Sequence, residues 1–187
     1  GDVPLPTPFG GWINNNVKWA FDWDGSYWGL FVTDWTATPP FSRVIYLRLD
    51  EDGDTVLGPV PITAPVDRWE NDVAAAFSLS ESLYGVAWER FENTPDGTVE
   101  VWFQRVEEAG GTPVGGAVLL GSWLGSPDGL DIAWDAATHT WAVVWRQWPR
   151  DNSEAPLMLR KVAADGSPSG PGPERRADYP DPEDPRC

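Results

Sequence analysis

Cysteine is nearly absent: of 187 residues only Cys187, the last, carries a thiol, so no disulfide within the chain can form. Histidine is as scarce. His139 stands alone, and one imidazole with one terminal thiol does not make a zinc or copper ligand set. A Ser-His-Asp triad would have to use His139, and no Gly-x-Ser-x-Gly elbow occurs. Basic residues are few: 13 Lys and Arg stand against 29 Asp and Glu, for a net charge of −16. Phosphate binding needs clustered cations, so this balance argues against nucleic acid and against anionic membrane surfaces. No apolar run approaches the roughly 18 residues of a membrane-spanning helix. Helical periodicity is missing throughout, and 19 Gly with 19 Pro would interrupt helices often.

What the chain does hold is apolar and aromatic. Hydrophobic residues make up 41% and aromatics 13%, enough for a buried core despite the acidity. It also repeats itself. The segments starting at Ala20, Ala76 and Ala133 align without a gap, at steps of 56 and 57 residues. A second block recurs as Tyr46-Leu47-Arg48-Leu49, Phe103-Gln104-Arg105-Val106 and Leu159-Arg160-Lys161-Val162, and a glycine follows at Gly53, Gly110 and Gly166. Fixed-period self-similarity marks one supersecondary unit copied in tandem.

Each repeat reads as four short strands. The first is apolar (Trp19 to Phe21, Val73 to Phe77, Ile132 to Trp134) and a polar hairpin follows. The second alternates with period two: Trp28, Leu30 and Val32 share one face, and so do Tyr84, Val86 and Trp88, then Trp141, Val143 and Trp145. Gly29, Gly85 and Ala142 fall in register on the other face, where a small residue admits a neighbouring sheet. The third strand carries Arg48, Arg105 or Lys161 into a glycine turn. The fourth is short: Val56 to Val60, Val114 to Leu120, and a poor Pro168 to Glu174. Four antiparallel strands per unit predict an all-β fold, a β-propeller of three blades. The blades span about 10–66, 67–122 and 123–178, and residues 179–187 form a Pro-rich acidic tail. Three blades are too few to close a ring of the usual 4 to 8, so the expectation is a homodimer that closes six. The alternative is a β-trefoil, which closes alone; the Gln-x-Trp repeat common in trefoil lectins does not occur.

Tyr84-Gly85-Val86-Ala87-Trp88, Trp102-Phe103-Gln104-Arg105-Val106 and Pro113-Val114-Gly115, with Ile45-Tyr46-Leu47-Arg48-Leu49 in the first repeat, resemble the blades of secreted bacterial β-propeller repeat proteins. The likeness covers roughly residues 17–172 and is weakest in the third repeat. It implies a blade architecture and a place outside the cell or at its surface. It implies no particular function.

Two sets of residues recur at strand ends. Trp35, Phe91 and Trp148 lie seven residues after Trp28, Tyr84 and Trp141. Asn15, Asn71 and Asp128 lie five residues before Ala20, Ala76 and Ala133. An aromatic platform beside a carboxamide or carboxylate suits a sugar ring, whose apolar face stacks while its hydroxyls find polar partners. The same residues also serve as packing wedges and turn formers in a purely structural reading. Asp50, Asp52 and Asp54 mimic the start of a calcium loop but lack its distal carboxylate, so a hairpin turn is the expectation. No spacing selects a pair from the many carboxylates for glycoside hydrolysis. The sequence therefore predicts a non-enzymatic binding module with no cofactor, no metal and no catalytic residue, recognising carbohydrate or another protein. A propeller hydrolase or lyase and an assembly domain of a longer repeat protein are the alternatives.

Overall fold

The computed structural model describes residues 18–34, 42–64, 68–91, 97–149 and 155–177. The 179–187 tail, Asn15 and Trp35 lie outside them, as does the side chain of Asp128. The strands are β1 (Trp19–Trp23), β2 (Trp28–Asp34), β3 (Arg43–Leu49), β4 (Thr55–Pro61), β5 (Trp69–Ser78), β6 (Leu83–Phe91), β7 (Thr98–Glu107), β8 (Pro113–Asp135), β9 (Thr140–Pro149), β10 (Leu157–Ala163) and β11 (Glu174–Ala177). No helix occurs among the described residues.

These strands form three four-stranded antiparallel sheets. The first runs β1-β2-β3-β4. The second runs β5-β6-β7 and ends on the first half of β8. The third starts on the second half of β8 and continues β9-β10-β11. The double use of β8 departs from the sequence expectation of separate strands at Val114 to Leu120 and Ile132 to Trp134. The chain stays extended from Pro113, opposite Val106, through Leu124, opposite Thr98, to Asp135, opposite Thr140. Gly129, at φ 75°, lies at a register shift between Asp128 and Leu130 rather than in a loop. The last strand also moves: β11 is Glu174–Ala177, while Pro168 makes only an isolated bridge to Val162.

The sheets stack face to face in chain order, β1 against β5 and β5 against β8, and among the described residues they do not close into a ring. Period-two alternation builds the layers between them. Tyr84, Val86 and Trp88 of the second sheet meet Phe31, Val44 and Tyr46 of the first. Trp141, Val143 and Trp145 of the third meet Ala74, Ala87 and Phe103 of the second. The glycine register has the physical meaning the sequence suggested. A Cβ on Gly29 would collide with the Tyr84 ring, and one on Gly85 would sit 2.5 Å from the Trp141 indole nitrogen. Leu30, Val32, Ile45, Leu47 and Leu49 form a third buried cluster on the opposite face of the first sheet.

A buried polar node ties the first two sheets. The Glu70 carboxylate is fully buried and accepts from Thr63 Oγ1 at 2.6 Å and Arg90 Nη2 at 2.8 Å. Val44 N–H donates to Thr63 Oγ1 at 2.9 Å, and Glu70 N–H donates to Ser42 Oγ. Burial pushes the Glu70 carboxyl above the usual range; the Thr63 and Arg90 contacts oppose it without cancelling it. A raised folded-state pKa favours the neutral carboxyl on folding. That stabilisation is complete below the unfolded pKa of about 4.3 and is lost as pH rises through the folded-state pKa. Glu70→Gln removes the titration. The unfolding free energy of the parent should therefore fall relative to the variant as pH rises through this window, with a slope of at most about 1.4 kcal/mol per pH unit, and its melting temperature with it. Parallel melting curves from pH 4 to 8 would refute the assignment.

Candidate functional site

Among the described residues, β1 carries a contiguous row of exposed aromatics. In Trp19-Ala20-Phe21-Asp22-Trp23 the pleat sends the three aromatics to one side, where Trp19 is 59% exposed, Phe21 52% and Trp23 37%. Ala20 and Asp22 face the second sheet, where Asp22 Oδ2 accepts the Phe77 N–H at 2.7 Å. The row is ordered by ring contacts. Trp19 and Phe21 stack at 5.4 Å and 21°, and Trp28 on β2 meets Phe21 at 5.5 Å and Trp23 at 5.0 Å. Contiguous exposed aromatics of this kind mark a recognition surface more often than a plain protein surface.

Sequence reasoning places Trp19 and Phe21 on a strand and assigns them no role. The signal that singles them out is positional. Their equivalents are Ala75 and Phe77 in the second repeat, and Ile132 and Trp134 in the third. Those residues lie against the preceding sheet. The first sheet has no preceding sheet among the described residues, and it carries an aromatic at both places.

The residues expected to form a sugar platform fall partly within view. Phe91 ends β6, half-buried and opposite Trp69; Asn71 follows two residues after Trp69, next to a bulge in β5. Trp148 is 36% exposed near the end of β9, opposite Ser126, with the Arg146 guanidinium 4.5 Å from its ring centre. Asp128 lies on the partner strand, opposite Arg146. The backbone thus brings the aromatic and the polar candidate of one repeat to the same sheet end, Phe91 with Asn71 and Trp148 with Asp128. Of the two aromatics in view, only Trp148 offers an exposed ring.

Other candidates are occupied by local structure. Asp50 Oδ1 accepts the N–H groups of Asp52 and Asp54, which closes a hairpin turn. His139 is exposed in its hairpin, with Nδ1 3.4 Å from Glu81 Oε1. Among the described residues, no three His, Cys, Asp or Glu side chains come together as a metal cluster. A cleft of about 280 Å³ separates the outer edges of the second and third sheets, lined by Phe103, Arg105, Val114 and the turn at Asp165 to Ser167. Its charged groups serve the fold. Arg105 Nη1 donates to Ala164 O at 2.9 Å, and hydrogen bonds from the Ser167 hydroxyl and N–H hold the Asp165 carboxyl below the usual carboxylate range. No protein-family model, no curated protein and no solved structure matches this chain.

Proposed function

We propose that the chain is a three-blade β-propeller segment acting as a non-enzymatic recognition module outside the cell or at its surface. It binds by covering the aromatic row of β1. The observation that carries this reading is the ordered exposure of Trp19, Phe21 and Trp23 on a rigid strand. Large aromatics supply most of the energy of protein recognition because they bury much area at little entropic cost. The propeller reading draws support from the stacking of first strand on first strand and from repeats that pair mainly within themselves. A trefoil would mix strands of different repeats in one barrel. The resemblance to secreted propeller repeats supports the extracellular placement, and the net charge of −16 directs the reading away from nucleic acid.

A second reading, carbohydrate recognition, is favoured by Trp148, whose exposed ring lies at a sheet end beside Arg146. A glycan array and a displayed peptide library, each probed with the parent, Phe21→Ala and Trp148→Ala, separate the two. Recognition through β1 predicts that selected ligands lose about 10-fold or more in affinity with Phe21→Ala and little with Trp148→Ala. Glycans lost with Trp148→Ala alone establish the second reading. Ligands indifferent to both substitutions overturn both.

A further inference from the structure

We propose that the cleft between the outer edges of the second and third sheets binds a sugar acid, with the Arg105 guanidinium as the seat of its carboxylate. At about 280 Å³ the cleft is at the small end of ligand-site volumes, suited to one sugar ring. It shares no residue with the β1 row or with Trp148, so it stands or falls apart from the recognition readings above.

The repeat register singles out Arg105. Arg48, Arg105 and Lys161 hold one place, opposite Gly29, Gly85 and Ala142. Arg48 is spent within its own sheet. Its Nη2 donates to Asp24 Oδ2 at 3.0 Å, and the guanidinium lies 4.0 Å from the centre of the Tyr27 ring. In the second repeat those two positions are Ser80 and Leu83, so Arg105 has neither partner. It reaches to the third sheet instead, where Nη1 donates to Ala164 O at 2.9 Å. That bond serves the fold, fixes the guanidinium and uses one donor. Among the described residues Nε and Nη2 make no hydrogen bond. They form the side-on edge with which arginine grips a carboxylate through two parallel bonds.

The walls leave that edge open. At the first junction the carbonyl equivalent to Ala164 O is Glu108 O, which accepts the Tyr46 hydroxyl at 2.7 Å. Phe103 stands in the place of Tyr46, so the hydroxyl that closes the first junction is missing from the second. Glycine lines the opening. Gly115 and Gly166 take left-handed φ of 75° and 89°. A Cβ on Gly166 would lie 2.9 Å from Nε, and one on Gly115 3.5 Å from Nη2. One on Gly116 would meet nothing within 4 Å. The buried Gln104 amide donates to Val114 O at 2.9 Å and Arg105 O at 3.0 Å, which clamps the irregular stretch of β8 that carries Gly115 and Gly116.

The charges select the ligand. One guanidinium among 29 Asp and Glu matches a single negative charge. A phosphate monoester would bring a second charge with no cation to meet it. Across the cleft Asp165 is exposed, and among the described residues no ion pair joins it to Arg105. Its Oδ1 accepts the Ser167 N–H at 2.8 Å and hydroxyl at 2.5 Å, which leaves Oδ2 to accept from a ligand hydroxyl. A carboxylate at one wall, hydroxyls at the other and an apolar flank against Val114 and Val118 describe a hexuronate.

NMR titration of the purified chain with D-galacturonate and D-glucuronate is the test, with D-galactose and acetate as controls. A hexuronate dissociation constant on the order of 1 mM is expected for a ligand of this size, with both controls about 10-fold weaker or more. Gly116→Leu fills the opening and keeps the Arg105 tie between the sheets. It should abolish the hexuronate shifts and leave the melting temperature unchanged. Arg105→Gln should weaken binding about 10-fold or more, and Arg105→Lys, which keeps the charge and loses the fork, several-fold. Trigalacturonate bound more tightly than the monomer identifies a polysaccharide residue as the source, and the reverse identifies the free acid; either upholds the site. No shifts up to about 20 mM hexuronate overturn the site. Binding unmoved by Gly116→Leu overturns the cleft as its place, and acetate or galactose bound as well as the hexuronate overturns the assigned class.

Discussion

Replacing Trp88 with alanine is expected to cost about 3–5 kcal/mol, the range for deleting a large buried aromatic. The side chain is 1% exposed and sits in the layer between the first two sheets, beside Phe31, Tyr46 and Tyr84. Its cross-strand neighbours are Val73 on β5 and Trp102 on β7, so the truncation opens a void facing three strands. A backbone fixed by hydrogen bonds on both sides collapses little into such a void. Trp88→Phe should cost much less, since among the described residues no acceptor meets the Trp88 indole N–H and its loss carries no penalty. Urea denaturation at one fixed protein concentration measures both; the concentration must be held because association stabilises by mass action. A cost below about 1 kcal/mol for the alanine would place the ring at the surface.

The second large effect comes from adding one carbon. Gly85→Ala is expected to destabilise by about 1–3 kcal/mol, against the roughly 0.5–1 kcal/mol that alanine ordinarily gains over glycine in a strand. The new Cβ would lie 2.5 Å from Trp141 Nε1 and 2.6 Å from its Cδ1. The ring has nowhere to go. It is fully buried, and its N–H donates to Ala76 O at 3.2 Å. A smaller ring relieves the collision, so Trp141→Phe in the Gly85→Ala background should cost less than in the parent. Thermal unfolding of the four proteins gives the coupling directly, with about 0.5–3 kcal/mol expected for residues in contact. Strict additivity would mean that the two sheets do not approach here.

The glycine register was legible because it is local: a period-two strand with one small residue per repeat already states that something large comes close. The faces of β2, β6 and β9 follow from the same alternation, as Trp88 and Trp145, both 1% exposed, illustrate. The course of β8 was not legible. Ser126-Pro127-Asp128-Gly129 has the composition of a turn, yet the pairing of Ser126 with Trp148 and of Asp128 with Arg146 keeps it extended. Tertiary pairing outweighs local preference there. The aromatic row was hidden for another reason. Trp19 and Phe21 occupy positions that are covered in the other two repeats, so exposure depends on whether a sheet precedes them, which no local pattern records. Of the six sugar-platform residues, Trp148 alone shows an exposed ring, and Asn15 and Trp35 lie outside the described residues.

A strand that belongs to two sheets ties their fates. Pulling β8 away strips β7 of its neighbour up to Leu124 and β9 of its neighbour from Gly125 onward. The second and third sheets therefore open together or not at all, as one cooperative unit. Among the described residues the first sheet shares no ladder with them. It is joined through side chains, such as Asp22 to the Phe77 N–H and Tyr46 to Glu108 O, and through the packing around Tyr84. It is the leaf of the molecule that can lift without unravelling the rest, and it is the leaf that carries the aromatic row. A partner bound there also latches the fold.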